Sequence, residues 1–236
     1  MNQKTQLSTR IGTETASHQT RISFTGNEKH LITLEDAIRL TQNYQRSAPE
    51  GSILGGFFGQ QIFSKLLNQQ TCVGIRIYFS SQDDGVPTFV LVGVNANNND
   101  LFQGFLGAHP IMSVSSLDER LSEDSPSTVD GETYTGQENH LTTLAEAGRL
   151  TRNFRDSAKG MVYKGGFFGK NIFSKILGQP GCVGILIYYA QRDDGRPTFV
   201  LAGVDKTGRH YAKWPSWGDE TLLCPPFCSS SNPLNR

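Results

Sequence analysis

Residues 55–94 are GGFFGQQIFSKLLNQQTCVGIRIYFSSQDDGVPTFVLVGV, and residues 165–204 are GGFFGKNIFSKILGQPGCVGILIYYAQRDDGRPTFVLAGV. The two stretches lie 110 positions apart and keep the same spacing throughout. Over the wider ranges 28–98 and 138–208, 39 of 71 positions are identical without a gap. Self-similarity at a fixed offset is the signature of an internal repeat. The sequence therefore predicts a tandem duplication of one domain.

Each repeat shows the pattern of two helices followed by a hairpin. Thr33 and Thr143 precede apolar residues at helical spacing and are predicted N-caps. A glycine loop, GGFFG, then leads into a short amphipathic helix. Alternating apolar residues on either side of a DDG turn, at 83–85 and 193–195, predict a β-hairpin.

The predicted fold class is α+β, a small domain of two helices packed on an antiparallel hairpin or sheet, present twice with one core in each copy. Because a lone hairpin is marginal, residues 20–25 and 131–135 are candidates for a further strand. The predicted organisation is a polar N-terminal arm at 1–22, the first repeat at 23–110, an acidic serine-rich linker at 111–132, the second repeat at 133–218 and a flexible Cys/Pro/Ser tail at 219–236.

Composition excludes several classes of function. The 236 residues carry 22 Lys and Arg against 22 Asp and Glu, so there is no basic excess of the kind that indicates nucleic-acid binding. No apolar run approaches the roughly 18 to 20 residues that cross a bilayer. The N-terminal residues lack the apolar segment of a signal peptide, which predicts the cytoplasm, with non-classical export left open. No cofactor is predicted.

The residues with a catalytic character have structural explanations. Cys72, His30 and Asp83 provide the residue types of a thiol hydrolase, and Cys182, His140 and Asp193 repeat them. Each cysteine opens an apolar strand, and each aspartate stands in a turn about ten residues away, at ~3.3 Å per residue. Structural roles are favoured for all six residues.

The glycine segments are candidate binding sites, because backbone N–H groups before a helix attract anions. They lack the GK[ST] of a P-loop, so a tight loop that carries two phenylalanines into the core is favoured. The speculative binding residues are Gly55, Gly56, Gly59, Gly165, Gly166, Gly169 and Lys170.

Metal and stacking sites are weakly indicated. The paired aspartates of each turn are too few to satisfy calcium. Cys224 and Cys228 have the spacing of half a metal site, but the only upstream partner is the distant His210, so a flexible tail or a local disulfide is favoured. Tyr78, Tyr188, Tyr189, Trp214 and Trp217 are expected to pack in the core or at an interface.

The helix–GGFFG–helix–CVGI–hairpin block, closed by a Cys-Pro-Pro-aromatic-Cys tail, resembles small uncharacterised bacterial proteins that carry this unit once. The resemblance covers about two thirds of the chain. It implies an α+β unit and a bacterial source, and no activity can be transferred from it.

The function predicted first is that of a non-enzymatic structural protein, whose chains associate head to tail into homo-oligomers, rings or filaments. The first repeat has a net charge of −1 over 28–98 and the second +4 over 138–208. The predicted assembly residues are Arg10, Arg21, Ile22, Phe24, Trp214 and Trp217. Two alternatives remain open: a bivalent binding module with equal sites near the GGFFG segments for an anionic or carbohydrate ligand, and a thiol-dependent hydrolase.

Overall fold

The computed structural model describes residues 23–121, 133–158, 160–210, 217–219 and 221–236. Five helices and twelve strands occur in these ranges. In chain order they are β1 (Leu31–Ile32), α1 (Leu34–Ser47), β2 (Gly55–Gly59), α2 (Gln60–Leu67), β3 (Cys72–Ser81), β4 (Pro87–Asn95), β5 (Leu106–Gly107), β6 (Ile111–Ser113), α3 (Leu117–Leu121), β7 (Leu141–Thr142), α4 (Leu144–Ser157), β8 (Gly165–Gly169), α5 (Lys170–Leu177), β9 (Gly184–Gln191), β10 (Pro197–Val204), β11 (Trp217–Gly218) and β12 (Leu222–Cys224).

The predicted α+β class is confirmed, and so are the predicted helix starts. The Thr33 side chain accepts the Asp36 N–H at 3.1 Å at the start of α1. The Thr143 side chain accepts the Glu146 N–H at 3.2 Å at the start of α4. Each threonine thus binds one of the N–H groups that have no partner within the first turn of a helix.

Both hairpins are also confirmed. Strand β3 pairs antiparallel with β4, and β9 pairs antiparallel with β10. The first turn is closed by a hydrogen bond of 2.8 Å from the Gln82 N–H to the Val86 carbonyl. The second is closed at the same distance from Arg192 to Arg196.

The twelve strands form two antiparallel sheets, and each sheet takes strands from both halves of the chain. One sheet has the order β1-β11-β10-β9-β2-β6, and the other has the order β7-β5-β4-β3-β8-β12. Strand β2 pairs with β9 at five positions, and β8 pairs with β3 at five positions. Each hairpin is therefore extended by the GGFFG strand of the opposite half.

The GGFFG segments are strands, so the prediction that they are loops is wrong. They are glycine-rich because neighbouring backbone comes very close to them. A Cβ atom on Gly55 would lie 2.7 Å from the Ile187 carbonyl oxygen, and one on Gly165 would lie 2.2 Å from that of Ile77. Of the segments expected to add a strand before β1 and β7, the described residues 23–25 and 133–135 form none, and 20–22 and 131–132 lie outside the described residues. The Phe24 N–H donates to the Ala96 carbonyl and the Tyr134 N–H donates to the Lys206 carbonyl, both at 2.9 Å.

The two halves share one large core, where a separate core in each copy was expected. This core joins apolar residues of β3 and β4 to those of β9 and β10, together with α2 and α5. Phe63 of α2 stacks on Phe173 of α5 with ring centroids 5.4 Å apart. Helix α1 packs against β9, and α4 packs against β3, so each long helix also covers strands of the opposite half.

Two segments expected to be exposed are part of the fold. Residues 111–121, assigned to the acidic linker by sequence, provide β6 on the edge of a sheet and α3 with Leu117 buried. The expectation of a flexible tail is wrong, because β12 pairs with β8, and Cys224 and Cys228 form the predicted local disulfide. Leu234 is fully buried beside α4. Strand pairing, the disulfide, buried apolar side chains and polar contacts all join the tail to the rest of the fold.

Among the described residues, no helix is long and apolar enough to cross a membrane.

Candidate functional site

A turn that precedes β1 positions the candidate site. Glu28 Oε1 accepts the Thr25 N–H at 2.6 Å, the Thr25 hydroxyl at 3.0 Å and the Gly26 N–H at 3.3 Å. Gly26 has φ +85°, a conformation that glycine adopts at no steric cost. The turn recurs before β7, where Glu138 accepts from Thr135 and Gly136. Both turns hold the following residues against the N-terminus of a helix from the other half.

In each half, a histidine holds the segment after the turn against the start of the helix from the other half. His30 Nε2 accepts the Gly169 N–H at 3.0 Å, and its Nδ1 lies 3.2 Å from the Asp219 carbonyl oxygen. His140 Nε2 accepts the Gly59 N–H at 3.0 Å, and its Nδ1 lies 2.9 Å from the His109 carbonyl oxygen. Because a backbone N–H can only donate, each Nε2 is unprotonated and each Nδ1 carries the proton.

Burial and hydrogen bonding shift the pKa values of His140 and Glu138, the histidine and the turn carboxylate that precede β7. Burial lowers the pKa of His140, which matches its role as a neutral acceptor. Burial acts to raise the pKa of Glu138, but the hydrogen bonds from Thr135 outweigh it, and the pKa of that carboxyl is lowered. The pair at the sheet edge is thus a neutral imidazole beside an ionised carboxylate.

A cavity of about 360 Å³ opens where the first turn meets α5. Its walls come from 27–31 on one side and from Asn171, Ile172 and Lys175 on the other. The Asn27 and Asn171 side chains form no hydrogen bond with any described residue, and the Lys29 and Lys175 ammonium groups form no ion pair with any. We call this cavity the open site. It offers unpaired donors on both walls.

The same place in the other half is bridged by side-chain hydrogen bonds. The residues 110 positions away from Asn27 and Asn171 are Gln137 and Gln61, and the Gln61 Nε2 donates to the Gln137 Oε1 at 3.0 Å. Lys65, at the position of Lys175, donates to the Gln61 Oε1 at 3.3 Å. Each glutamine is one methylene longer than its asparagine counterpart. That added length lets the two walls reach each other, and we call this place the closed site.

The glycines predicted to bind anions line neither place. Gly55, Gly56, Gly165 and Gly166 lie within the buried strands β2 and β8. Gly59 and Gly169 cap α2 and α5, and their N–H groups are taken by the two histidines. Lys170 is the first residue of α5, directly before Asn171 of the open site. The backbone of these segments is therefore committed to the fold.

The predicted assembly residues fall into two groups. Phe24 and Trp217 are each 3% exposed; Phe24 stacks on Phe167 at 3.9 Å, and Trp217 lies in β11. Neither ring is on the outer surface of the described chain. Arg10, Arg21, Ile22 and Trp214 lie outside the described residues. The role assigned to the arm stays a prediction.

The candidate thiol hydrolase residues all have structural partners. The Cys72 and Cys182 thiols are buried, each donating at 3.2 Å to a carbonyl two residues later, and burial raises their pKa. Asp83 binds Asn153 and Arg149 of α4, which lower the pKa of its carboxyl. Asp193 binds Asn43 and Arg39 of α1 in the same way. The turn aspartates therefore join each hairpin to a helix of the other half.

The buried tyrosines reveal where the halves diverge. Tyr78 donates at 2.6 Å to Asp100, which pairs with Arg76, and all three are buried. In the second half, the Tyr188 hydroxyl lies 2.7 Å from His210 Nε2. Burial lowers the pKa of His210 to about 3, so this ring stays neutral. His210 is thus a core residue, and Cys224 and Cys228 are bonded to each other, so their sulfurs are not free to hold a metal.

Other cavities are less suited to a small polar ligand. One of about 490 Å³ lies beside Phe102 and Phe105, but the Gln69 amide at its wall already accepts the Phe105 N–H. Another of about 340 Å³ is lined by Asp36, Arg39, Asp193 and Asp194, whose charges pair with one another or with Arg196. The open site differs from both in the number of polar side chains left without a partner.

Sequence reasoning missed four residues of the open site: Asn27, Lys29, Asn171 and Lys175. The signal was present in the differences between the repeats, because Asn27, Lys29 and Asn171 stand where the other repeat has Gln137, Asn139 and Gln61. A comparison based on identical positions leaves these residues out.

No family model, curated protein or solved structure matches this chain. The resemblance to single-unit bacterial proteins therefore stays a prediction.

Proposed function

We propose that this protein is a non-enzymatic binding module, a tandem duplication whose two copies close on each other and whose open site holds a small ligand. The closed and open sites occupy corresponding positions, and each is built from its own copy of the same turn, histidine and helix. A shared scaffold with one site open is what a duplication produces when one copy keeps a binding role and the other becomes purely structural.

The observation that carries the proposal is the set of unpaired polar groups at the open site. Asn27, Lys29, Asn171 and Lys175 surround a cavity of about 360 Å³ without bonding to one another. Ligand sites of this size are typically concave, largely preformed and furnished with a few convergent polar groups. At the closed site, the Gln61 amide and the Lys65 ammonium group, which correspond to Asn171 and Lys175, instead donate to neighbouring side chains.

A catalytic role has less support. Both ring nitrogens of His30 and of His140 are engaged with backbone groups, so neither imidazole has a nitrogen available as a general base. The two thiols are buried and held as thiols by a raised pKa, whereas the reactive form is the thiolate.

Head-to-tail assembly, the function predicted first from sequence, is less well supported by the geometry. The β2–β9 and β3–β8 ladders are reciprocal and are both formed within one chain. Reciprocal contacts close on themselves, whereas filaments need contacts that leave a free copy at each end. Assembly through the N-terminal arm stays a prediction, and so does the bivalent alternative. Our proposal differs from the bivalent alternative in placing the ligand at the open site alone.

Binding at the open site can be tested by nuclear magnetic resonance on the full 15N-labelled chain, with phosphate, citrate, glucose and N-acetylglucosamine as probes. We expect at least one probe to shift the amide signals of 27–31 and 171–175. Asn171→Gln should abolish the shift, because it introduces the longer side chain that closes the other site.

The matched control is Gln61→Asn in the closed site, which should leave probe binding at the open site unchanged. If no probe moves the signals of either wall, or if Gln61→Asn is as damaging as Asn171→Gln, the binding proposal is wrong.

A further inference from the structure

The two sites differ in charge as well as in openness. The open site has Lys29 and Lys175, and Lys170 begins the helix beside it. The corresponding residues of the closed site are Asn139, Lys65 and Gln60. Three lysines thus stand where the other half has one. The basic excess of the second repeat does not account for this on its own, since Lys29 belongs to the first.

The two lysines belong to the two segments that line the cavity from opposite sides, and both residues are exposed. Lys29 belongs to the segment that leads into β1, and Lys175 belongs to the last turn of α5. Among the described residues neither has an ion-pair partner, whereas Lys65 is held by Gln61. An anion between the walls would meet an ammonium group from each side, with the Asn27 and Asn171 amides as further donors.

Two backbone donors at the start of α5 are already bonded within the chain. The Gly169 N–H is bonded to His30, and the Asn171 N–H is bonded at 3.0 Å to the Gly26 carbonyl. The positive charge available to a ligand is therefore that of the lysine side chains. The Glu28 carboxylate also lines the cavity; its Oε1 is hydrogen-bonded within the turn, and its Oε2 is buried with no hydrogen-bond partner among the described residues. The lining thus carries two ammonium groups against one carboxylate. The net character of the open site is cationic.

We propose that the open site binds a small molecule with two anionic groups, one for the ammonium group of Lys29 and one for that of Lys175. This inference rests on the proposed binding function and adds the chemical class of the ligand. A ligand with a single charge can satisfy one wall only, so affinity should depend on both lysines and on the presence of two charges.

The test is isothermal titration calorimetry of the full chain at low salt with inorganic pyrophosphate, and with acetate and glucose as comparison probes. We expect one pyrophosphate per chain, with affinity at least about tenfold higher than for acetate, because pyrophosphate offers an anionic group to each lysine and charge-assisted hydrogen bonds are stronger than neutral ones. Added NaCl should weaken binding, because exposed charges are screened.

Matched variants assign the site. Lys29→Asn and Lys175→Asn should each weaken pyrophosphate binding about tenfold or more, and Lys65→Asn, the same change in the closed site, should leave it unaltered. A Gln61→Asn, Gln137→Asn and Asn139→Lys triple variant recreates the open site in the other half. It should raise the stoichiometry from one to two.

The outcomes separate this inference from the function on which it rests. If glucose binds and Asn171→Gln abolishes that binding, while pyrophosphate gives no heat, the inference of a dianionic ligand is wrong and the proposed binding function stands. If pyrophosphate binds and Lys65→Asn weakens it as much as Lys175→Asn does, the binding is a general surface effect and the dianion site is wrong. If none of the probes gives heat and none shifts the amide signals of either wall, both proposals are overturned.

Discussion

Arg76→Ala is expected to lower the free energy of unfolding by about 3 to 5 kcal/mol, the typical cost of removing one partner of a buried ion pair. Arg76 and Asp100 pair with both side chains fully buried. Without the guanidinium, the Asp100 carboxylate keeps the Tyr78 hydroxyl and the Asn232 amide as donors but loses its counter-charge. The loss is measured by urea denaturation with the slope held constant.

Two variants control this experiment. Arg149→Ala removes an ion pair with Asp83 that is largely exposed, and it should cost less than about 1 kcal/mol. The double variant Arg76→Leu and Asp100→His copies the Leu186 and His210 of the other half, where Tyr188 already meets a histidine. It should recover part of the stability lost in Arg76→Ala. Equal losses for Arg76→Ala and Arg149→Ala would contradict the buried pair.

Phe173→Ala should also cost about 3 to 5 kcal/mol, as deletion of a buried aromatic ring leaves a cavity in a close-packed interior. The Phe173 ring is fully buried and stacks on Phe63, so the deletion affects both halves at once. Phe63→Ala should behave alike, and the double variant should cost less than the sum, because the two rings contact each other.

Phe105→Ala is the control for ring deletion, because this side chain is 47% exposed and its loss should change stability by less than about 1 kcal/mol. A loss below about 1 kcal/mol for Phe173→Ala would show that the rings do not join the halves. Additive losses in the double variant would show the same.

The local structure was predictable from sequence because its causes are local. A threonine before an apolar stripe and a DDG turn between alternating apolar residues each specify their element within a few residues, and both were confirmed. The GGFFG pattern predicts a loop, because glycine is common in turns, but the structure has a strand there. Glycine is needed in this segment because the backbone of a neighbouring strand leaves no room for a Cβ atom. A local sequence pattern does not show which strand will lie alongside.

The exchange of strands was not predictable, because the halves are too similar. Strand β2 meets Ile185 and Ile187 of β9, and β3 carries the same residues at Ile75 and Ile77. Pairing within a repeat and pairing across repeats therefore bury nearly the same side chains. The choice between them depends on the connections and on the joint packing of both halves.

The order of the tail was unexpected for a different reason. Its few apolar residues indicated disorder, but polar contacts hold it. Asn232 donates to Asp100 at 2.9 Å, Asn98 donates to the Cys228 carbonyl at 2.8 Å, and Arg155 donates to the Leu234 carbonyl at 2.8 Å. Each partner lies in a distant part of the sequence, so the composition of the tail does not predict these contacts.

Closure of the two halves within one chain is central to this account, and the mass in solution tests it most directly. Light scattering at high protein concentration and low salt should give the mass of a single chain, 26.0 kDa, without growth as the concentration rises. The reciprocal ladders leave neither strand free to pair with another chain. A mass that increases steadily with concentration would support head-to-tail assembly, which the N-terminal arm can provide without any exchange of strands. A mass of two chains that does not fall on dilution is the result expected of strands exchanged between molecules, and it would contradict closure.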